Sequence, residues 1–154
     1  MTTTATTATT APSANGRVVA LAFFAARAVL EGALTRHGIT YQQSVTLRAL
    51  VAAGGSIGRD ELVADVNASL KTDDSVVLGV IDELTAKKLL EEDPTETSRL
   101  RFTDAGRKVD ATTSAESAEI AARLYADIPA EDLATAGRVL TLVTERANAE
   151  LTGA

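Results

Sequence analysis

The stretch from Leu70 to Gly106 constrains the chain most. Between Thr72 and Lys88 the apolar residues Val76, Val77, Val80, Ile81 and Leu84 recur at helical spacing. Thr72 is placed to cap that helix, with Asp73 and Asp74 in its first turn, where the positive end of the helix dipole favours carboxylates. Leu89-Leu90 then leads into a polar turn at Asp93-Pro94. Arg99-Leu100-Arg101-Phe102 alternates as a half-buried strand does, and Thr103 is placed to cap the helix that follows. The order is therefore helix, strand, turn, strand, helix.

A helix followed by a two-stranded ribbon is the second half of a winged helix-turn-helix, in which the helix enters the DNA major groove and the ribbon lies beside the backbone. The remaining segments fit that plan. Residues 1–15 are Thr/Ala-rich with no periodic apolar face, and are expected to form a disordered arm. No basic residue precedes Arg17, so the arm is not built to reach into a minor groove. Arg17 to His37 reads as a helix that is apolar around most of its circumference, through Val18, Leu21, Ala22, Ala25, Ala28, Val29 and Ala33 with Phe23 and Phe24. Such a helix is buried either within its own domain or by a partner. Thr40 to Ala53 is a second helix, with Val45, Leu47, Leu50 and Val51 inward, and Ser56-Ile57 suits one short strand pairing with the ribbon. Arg59 to Ala68 is a third helix with Leu62, Val63 and Val66 inward. Thr103 to Ala126 is a long helix with Ile120 and Leu124 as core positions, and Pro129 opens a last helix to Leu151. The fold class is mainly α, about six helices plus a small β wing.

Composition narrows the chemistry. With 45% hydrophobic residues but only 3% aromatic, the core must be built of Leu, Val, Ile and Ala. The absence of cysteine excludes disulfides, thiolate zinc sites and thiol redox sensing. No apolar run is expected to reach membrane-spanning length, and no basic region precedes an apolar stretch near the N-terminus, so a cytoplasmic protein without membrane association is expected. The net charge of −6 disfavours indiscriminate adhesion to nucleic acid. Residues 38–107 hold eight basic and twelve acidic side chains, an acidic balance for a module that should face a polyanion. No Ser-His-Asp arrangement, metal-ligand cluster or phosphate-cradling glycine loop is visible; no metal or cofactor is expected and no enzymatic activity is assigned. Were the chain an enzyme, its single histidine, His37, with Tyr41, would be the acid-base candidates. The plainer role for His37 is a charge partner at a helix C-terminus.

Four stretches in order resemble the MarR family of bacterial winged-helix transcription regulators, over the whole chain after the arm. They are GITYQQSVTLRAL (38–50), VIDELTAKKLL (80–90), RLRFTDAGRKV (99–109) with the Leu-Thr-x-x-Gly-like exit from the second wing strand, and IPAEDLATAGRVLTLV (128–143). The resemblance implies a homodimer in which residues 16–37 and 108–154 form the dimerisation helices and 38–107 form the winged module. It implies a palindromic double-stranded DNA operator and a small-molecule ligand held between the dimerisation helices and the winged domain. Lys71, Thr72, Ser75, Arg99 and Arg101 are the DNA-facing candidates, and Phe23, Arg27, His37, Tyr41 and Arg48 the ligand-binding ones. Three departures stand out. Val76, Leu78 and Gly79 fall where recognition helices of the family place hydroxyl and arginine side chains, Glu92 falls where arginine is frequent, and Lys88 falls where glycine is usual. Two functions follow: a ligand-responsive, DNA-binding regulator, or a winged-helix scaffold that has lost operator reading and binds or transforms a metabolite.

Overall fold

The computed structural model describes residues 12–153; the arm expected over residues 1–15 lies largely outside the described residues. In chain order the elements are α1 (Gly16–Arg36), α2 (Tyr41–Ala52), β1 (Ser56–Gly58), α3 (Arg59–Leu70), α4 (Asp74–Ala86), β2 (Leu90–Asp93), β3 (Glu96–Phe102), α5 (Asp104–Leu124) and α6 (Ala130–Thr152). The described residues up to Ile120 form one compact unit, and those from Ala121 onward form another.

The first unit is a winged helix-turn-helix. Its sheet runs β1-β3-β2, antiparallel throughout, with Ile57 opposite Leu100 and Leu90 opposite Phe102. A register irregularity at Glu92/Asp93 bends the outer strand of the wing. Leu47 and Leu50 of α2, Leu62 and Val66 of α3, and Val77, Ile81 and Leu84 of α4 meet Ile57, Leu90, Leu100 and Phe102 of the sheet in one continuous core. Each such side chain, fully removed from water, contributes on the order of 1.5–3 kcal/mol. α1 joins this core through its C-terminal end, where Leu34 is buried and Leu30 packs against it.

Local chemistry explains where the elements start and stop. Thr40 and Gln43 form a reciprocal capping box at α2, each side chain bonded to the other's backbone N–H at 3.2 Å. Thr103 accepts from the Gly106 N–H at 3.0 Å, as expected of a cap, and its own hydroxyl and N–H donate to the carbonyls of Lys88 and Leu89. Gly106 is buried there because the start of α5 meets the backbone leading into β2: a Cβ on Gly106 would stand 1.9 Å from the Leu89 carbonyl oxygen. Lys88 closes α4 with φ of 57°, a left-handed conformation that glycine adopts without strain.

Several sequence expectations need correction. Thr72 does not cap α4. Lys71 ends α3 in the left-handed conformation, Thr72 and Asp73 continue without helix, and Asp73 takes the N-cap place with no side-chain hydrogen bond. The Asp74 carboxylate instead accepts from the Asn67 amide, joining α3 to α4. Val51 is 51% exposed and Val76 45%, because the buried face of α2 is completed by Gln43, Ser44 and Thr46 and that of α4 by Val77. Leu124 is also exposed. On α1 only Ala33 and Leu34 are buried, whereas Leu21, Phe23, Phe24 and Val29 are exposed. α1 is in addition long and apolar enough, by length and composition, to cross a membrane, contrary to the expectation that no run approaches that length. Its packing of Leu34 into the winged core and its Arg27–Glu31 ion pair at 2.8 Å give it a place in the protein's own architecture.

The second unit is the end of α5, a turn through Asp127 in the left-handed conformation, and α6, which begins after Pro129. No α6 residue is buried, and Val139, Leu140, Leu142, Val143 and Leu151 are all exposed.

Candidate functional site

The turn between α3 and α4 delivers the first group of candidates. Lys71 is exposed at the end of α3, Thr72 is half-buried, and Ser75 is exposed on the first turn of α4. With Val77, Val80, Ile81 and Leu84 turned into the core, the helical period directs Ser75, Gly79 and Asp82 straight outward, with Val76 and Leu78 on either side. Nothing lies within 4 Å of the place a Gly79 Cβ would occupy. The carboxylates of this helix are partnered: Asp82 sits 3.8 Å from Arg59, Glu83 accepts from the Gln43 amide at 2.7 Å, and Asp74 is held by Asn67.

The wing supplies Arg99 and Arg101, and both are engaged within the sheet. Arg99 donates to the Ser56 hydroxyl at 3.2 Å and to the Ser56 carbonyl at 2.9 Å. Arg101 donates Nε to Glu91 at 2.8 Å, and its Nη2 lies 2.7 Å from the same oxygen in an ion pair. At the tip, Asp93 accepts from the Thr95 hydroxyl at 2.6 Å and from its N–H at 2.9 Å, and these bonds hold the Asp93 carboxyl below its ordinary range.

The five ligand-binding candidates do not form one site. Arg27 lies over the Tyr41 ring, 4.5 Å from its centroid, in cation–π geometry. Phe23 packs edge-on against Phe24 on the exposed side of α1. His37 faces α5: its Nε2 lies 2.8 Å from Glu116, whose other oxygen accepts from Arg36. The hydrogen bonds from His37 and then Arg36 lower the Glu116 pKa. His37 makes no hydrogen bond to Tyr41 among the described residues, so the pair suggested for acid-base work is not assembled as a unit. Arg48 sits toward α5, where its charge partly offsets the effect of burial on Asp110; burial is the larger influence and raises the Asp110 pKa.

Sequence reasoning missed three features. An open cleft of about 370 Å³ is lined by Val51, Gly54, Gly55, Phe102, Arg107 and Asp110. Gly54 and Gly55, both with positive φ, shape its rim; the Gly-Gly pair was its only sequence signal. Gln43 is a buried hub, taking Thr40 N–H and Lys87 on its oxygen and giving its amide to Glu83, while Lys87 also donates to the Gly38 carbonyl at 2.7 Å. The Thr-x-x-Gln spacing at 40–43 announced the cap but not the link to α4. Glu116 lies 79 residues from His37, so no local pattern pointed to it.

No family model matches the chain, and no curated protein matches its sequence. Solved structures do match. CouR from Rhodococcus jostii RHA1, bound to p-coumaroyl-CoA, superposes with a TM-score of 0.72 at 18% identity, covering 84% of this chain and 90% of its own. The S. aureus MepR–DNA complex gives 0.71 at 19%, covering 87% and 96%. The fold is the MarR-type winged helix. PcaV from Streptomyces coelicolor gives 0.67 at 23% identity over 89% of this chain and 99% of its own. The expected architecture of six helices and a small antiparallel wing is thus met element by element. Within this fold α3 and α4 are the helix-turn-helix pair and β2–β3 the wing.

Proposed function

We propose that this chain is a dimeric, cytoplasmic winged-helix transcription regulator that reads a palindromic duplex and responds to a small molecule. The observation that carries the reading is a complete MarR-type winged helix whose reading helix stays uncovered. A similar fold in S. aureus MepR is found on DNA, and one in R. jostii CouR is found on p-coumaroyl-CoA. Residues 16–37 and 108–154 are proposed as dimerisation helices. Their exposed Leu21, Phe24, Leu142, Val143 and Leu151 are more apolar than a solvated monomer tolerates, and a two-fold axis would cover them. Residues 38–107 form the reading head, with Lys71, Thr72, Ser75, Arg99 and Arg101 toward DNA. Of the ligand-binding candidates the stacked pair Arg27 and Tyr41 is proposed to border the ligand crevice, with Phe23, His37 and Arg48 on other faces, and the separate cleft beside Arg107 and Asp110 has the size of a small-molecule site.

A fluorescence polarisation titration of the full chain against its own upstream region at low salt tests the reading. Salt-sensitive binding by a dimer is expected. Absence of such binding by folded protein, or a monomer in sedimentation, overturns it.

One observation favours a second reading, a scaffold that has kept its cleft and lost the operator. Val76, Leu78 and Gly79 occupy the reading helix, and Arg99 and Arg101 are tied inside the sheet. That reading expects a bound metabolite without DNA affinity. If the metabolite is turned over, His37→Ala or Tyr41→Phe abolishes turnover; a regulator carrying either change keeps its DNA binding.

A further inference from the structure

We infer that α4 selects its duplex by the 5-methyl groups of thymine, with Val76 and Leu78 as the residues that sense them. The inference rests on the DNA-reading proposal and names what that reading recognises. Base edges are distinguished in the major groove by donors, acceptors and one apolar feature, the thymine methyl. The inventory of α4 leaves little but the last. From Asp74 to Ala86 the helix has no Arg, Lys, Asn or Gln, so it holds no side chain that can make a two-pronged contact with guanine or adenine. Of its carboxylates, the natural acceptors for cytosine, Asp74 and Glu83 are held by Asn67 and Gln43, while Asp82 stays exposed with Arg59 3.8 Å away. Ser75 retains a hydroxyl, which serves any base.

What the helix does offer outward is a low ridge with apolar shoulders. Gly79 has no side chain and open space in front of it, which lowers the ridge between Ser75 and Asp82. Val76, 45% exposed, and Leu78, 39% exposed, flank that ridge on opposite sides. Neither packs into the core, which Val77, Val80, Ile81 and Leu84 complete without them. Sunk into a major groove, the two side chains meet base edges on both sides of the ridge, and the methyl of thymine is the partner that gains from an apolar neighbour.

The test uses the full-length wild-type protein and a duplex enriched by it from random-sequence DNA. Each thymine of the enriched core is then replaced by deoxyuridine, which removes one methyl and keeps charge and pairing. Transfer of one methyl-sized group corresponds to about 0.8 kcal/mol, so each contacted methyl removed weakens binding about fourfold. Val76→Ala and Leu78→Ala, both at exposed sites, should bind thymine and deoxyuridine duplexes equally at the positions each residue faces. Tight binding that is indifferent to deoxyuridine overturns the inference and leaves DNA reading intact. Failure to enrich any duplex overturns both, and points to a protein partner for the apolar shoulders.

Discussion

Gly106→Ala is the most severe single-methyl change the structure allows. The added Cβ would lie 1.9 Å from the Leu89 carbonyl oxygen, 2.9 Å from its carbon and 3.1 Å from Phe102 Cδ1. Two of those three atoms are backbone, so no side-chain rotamer relieves the contact. Either α5 lifts from the entry of β2 or the Leu89 peptide turns away. Both routes loosen the bonds that Thr103 makes to Leu89 O, at 3.1 Å from its N–H and 3.2 Å from its hydroxyl. Overpacking costs about 1–3 kcal/mol and two weakened hydrogen bonds about 1 kcal/mol each, while alanine's better helix propensity returns about 1 kcal/mol. The expected net loss is therefore about 2–4 kcal/mol. For a chain of this size that is a fall of roughly 5–15 °C in Tm. Urea unfolding followed by circular dichroism, at one fixed protein concentration because association would add to stability, measures it. A variant within 0.5 kcal/mol of wild type would refute the close approach of α5 to the strand entry, and with it the physical reason for the Thr-x-x-Gly exit.

Gly79→Ala is the counterpart, a helical glycine with room for a methyl: it should stabilise the fold by about 0.5–1 kcal/mol in the same assay yet weaken DNA binding by raising the ridge. Lys88→Gly, at φ of 57°, should stabilise by about 0.5–1 kcal/mol in urea titration; a loss would mean that the lysine side chain matters more than its backbone. Gln43→Ala removes a buried side chain together with its hydrogen bonds to the Thr40 N–H and to the exposed Glu83 and Lys87, and should cost about 1–2 kcal/mol in the same assay. For Glu116 the folded pKa lies below the unfolded one, so its contribution is complete at neutral pH and lost as pH falls through the folded value. Glu116→Gln should flatten the acid side of the stability profile, where pH falls below the ordinary glutamate range. Asp110, raised by burial, acts in the opposite sense but is shared by both chains; identical acid slopes would refute the His37–Glu116–Arg36 link.

The fold was legible where local chemistry and tertiary packing agree. The spacing of Val77, Val80, Ile81 and Leu84, the Thr103 cap and the alternation of Arg99 to Phe102 each describe a helix or strand with one wet side, and the structure uses them so. The reading failed where apolar residues are not buried by their own unit. Val51 and the Leu21–Phe24 side of α1 look like core and are exposed, because hydrophobicity states a need for cover without saying what provides it. Thr72 failed for a backbone reason: the left-handed Lys71 delayed α4 until Asp74. The site was less legible still. Arg99 and Arg101 read as free cations on a strand, but their partners, Ser56 and Glu91, are set by strand register. Glu116 and the Gln43–Lys87 link join residues 40 or more positions apart, beyond any window of local pattern.

Half of the eight cations in the winged module are committed inside it: Arg59 to Asp82, Lys87 to Gly38 and Gln43, Arg99 to Ser56, and Arg101 to Glu91. If the module reads DNA as proposed, it has little to offer an arbitrary phosphate backbone, and so would glide poorly and dissociate quickly from random sequence. Its search is then made by repeated collisions from free solution rather than by travel along the chromosome. Occupancy of its site follows the number of copies in the cell, with little of the pool detained elsewhere.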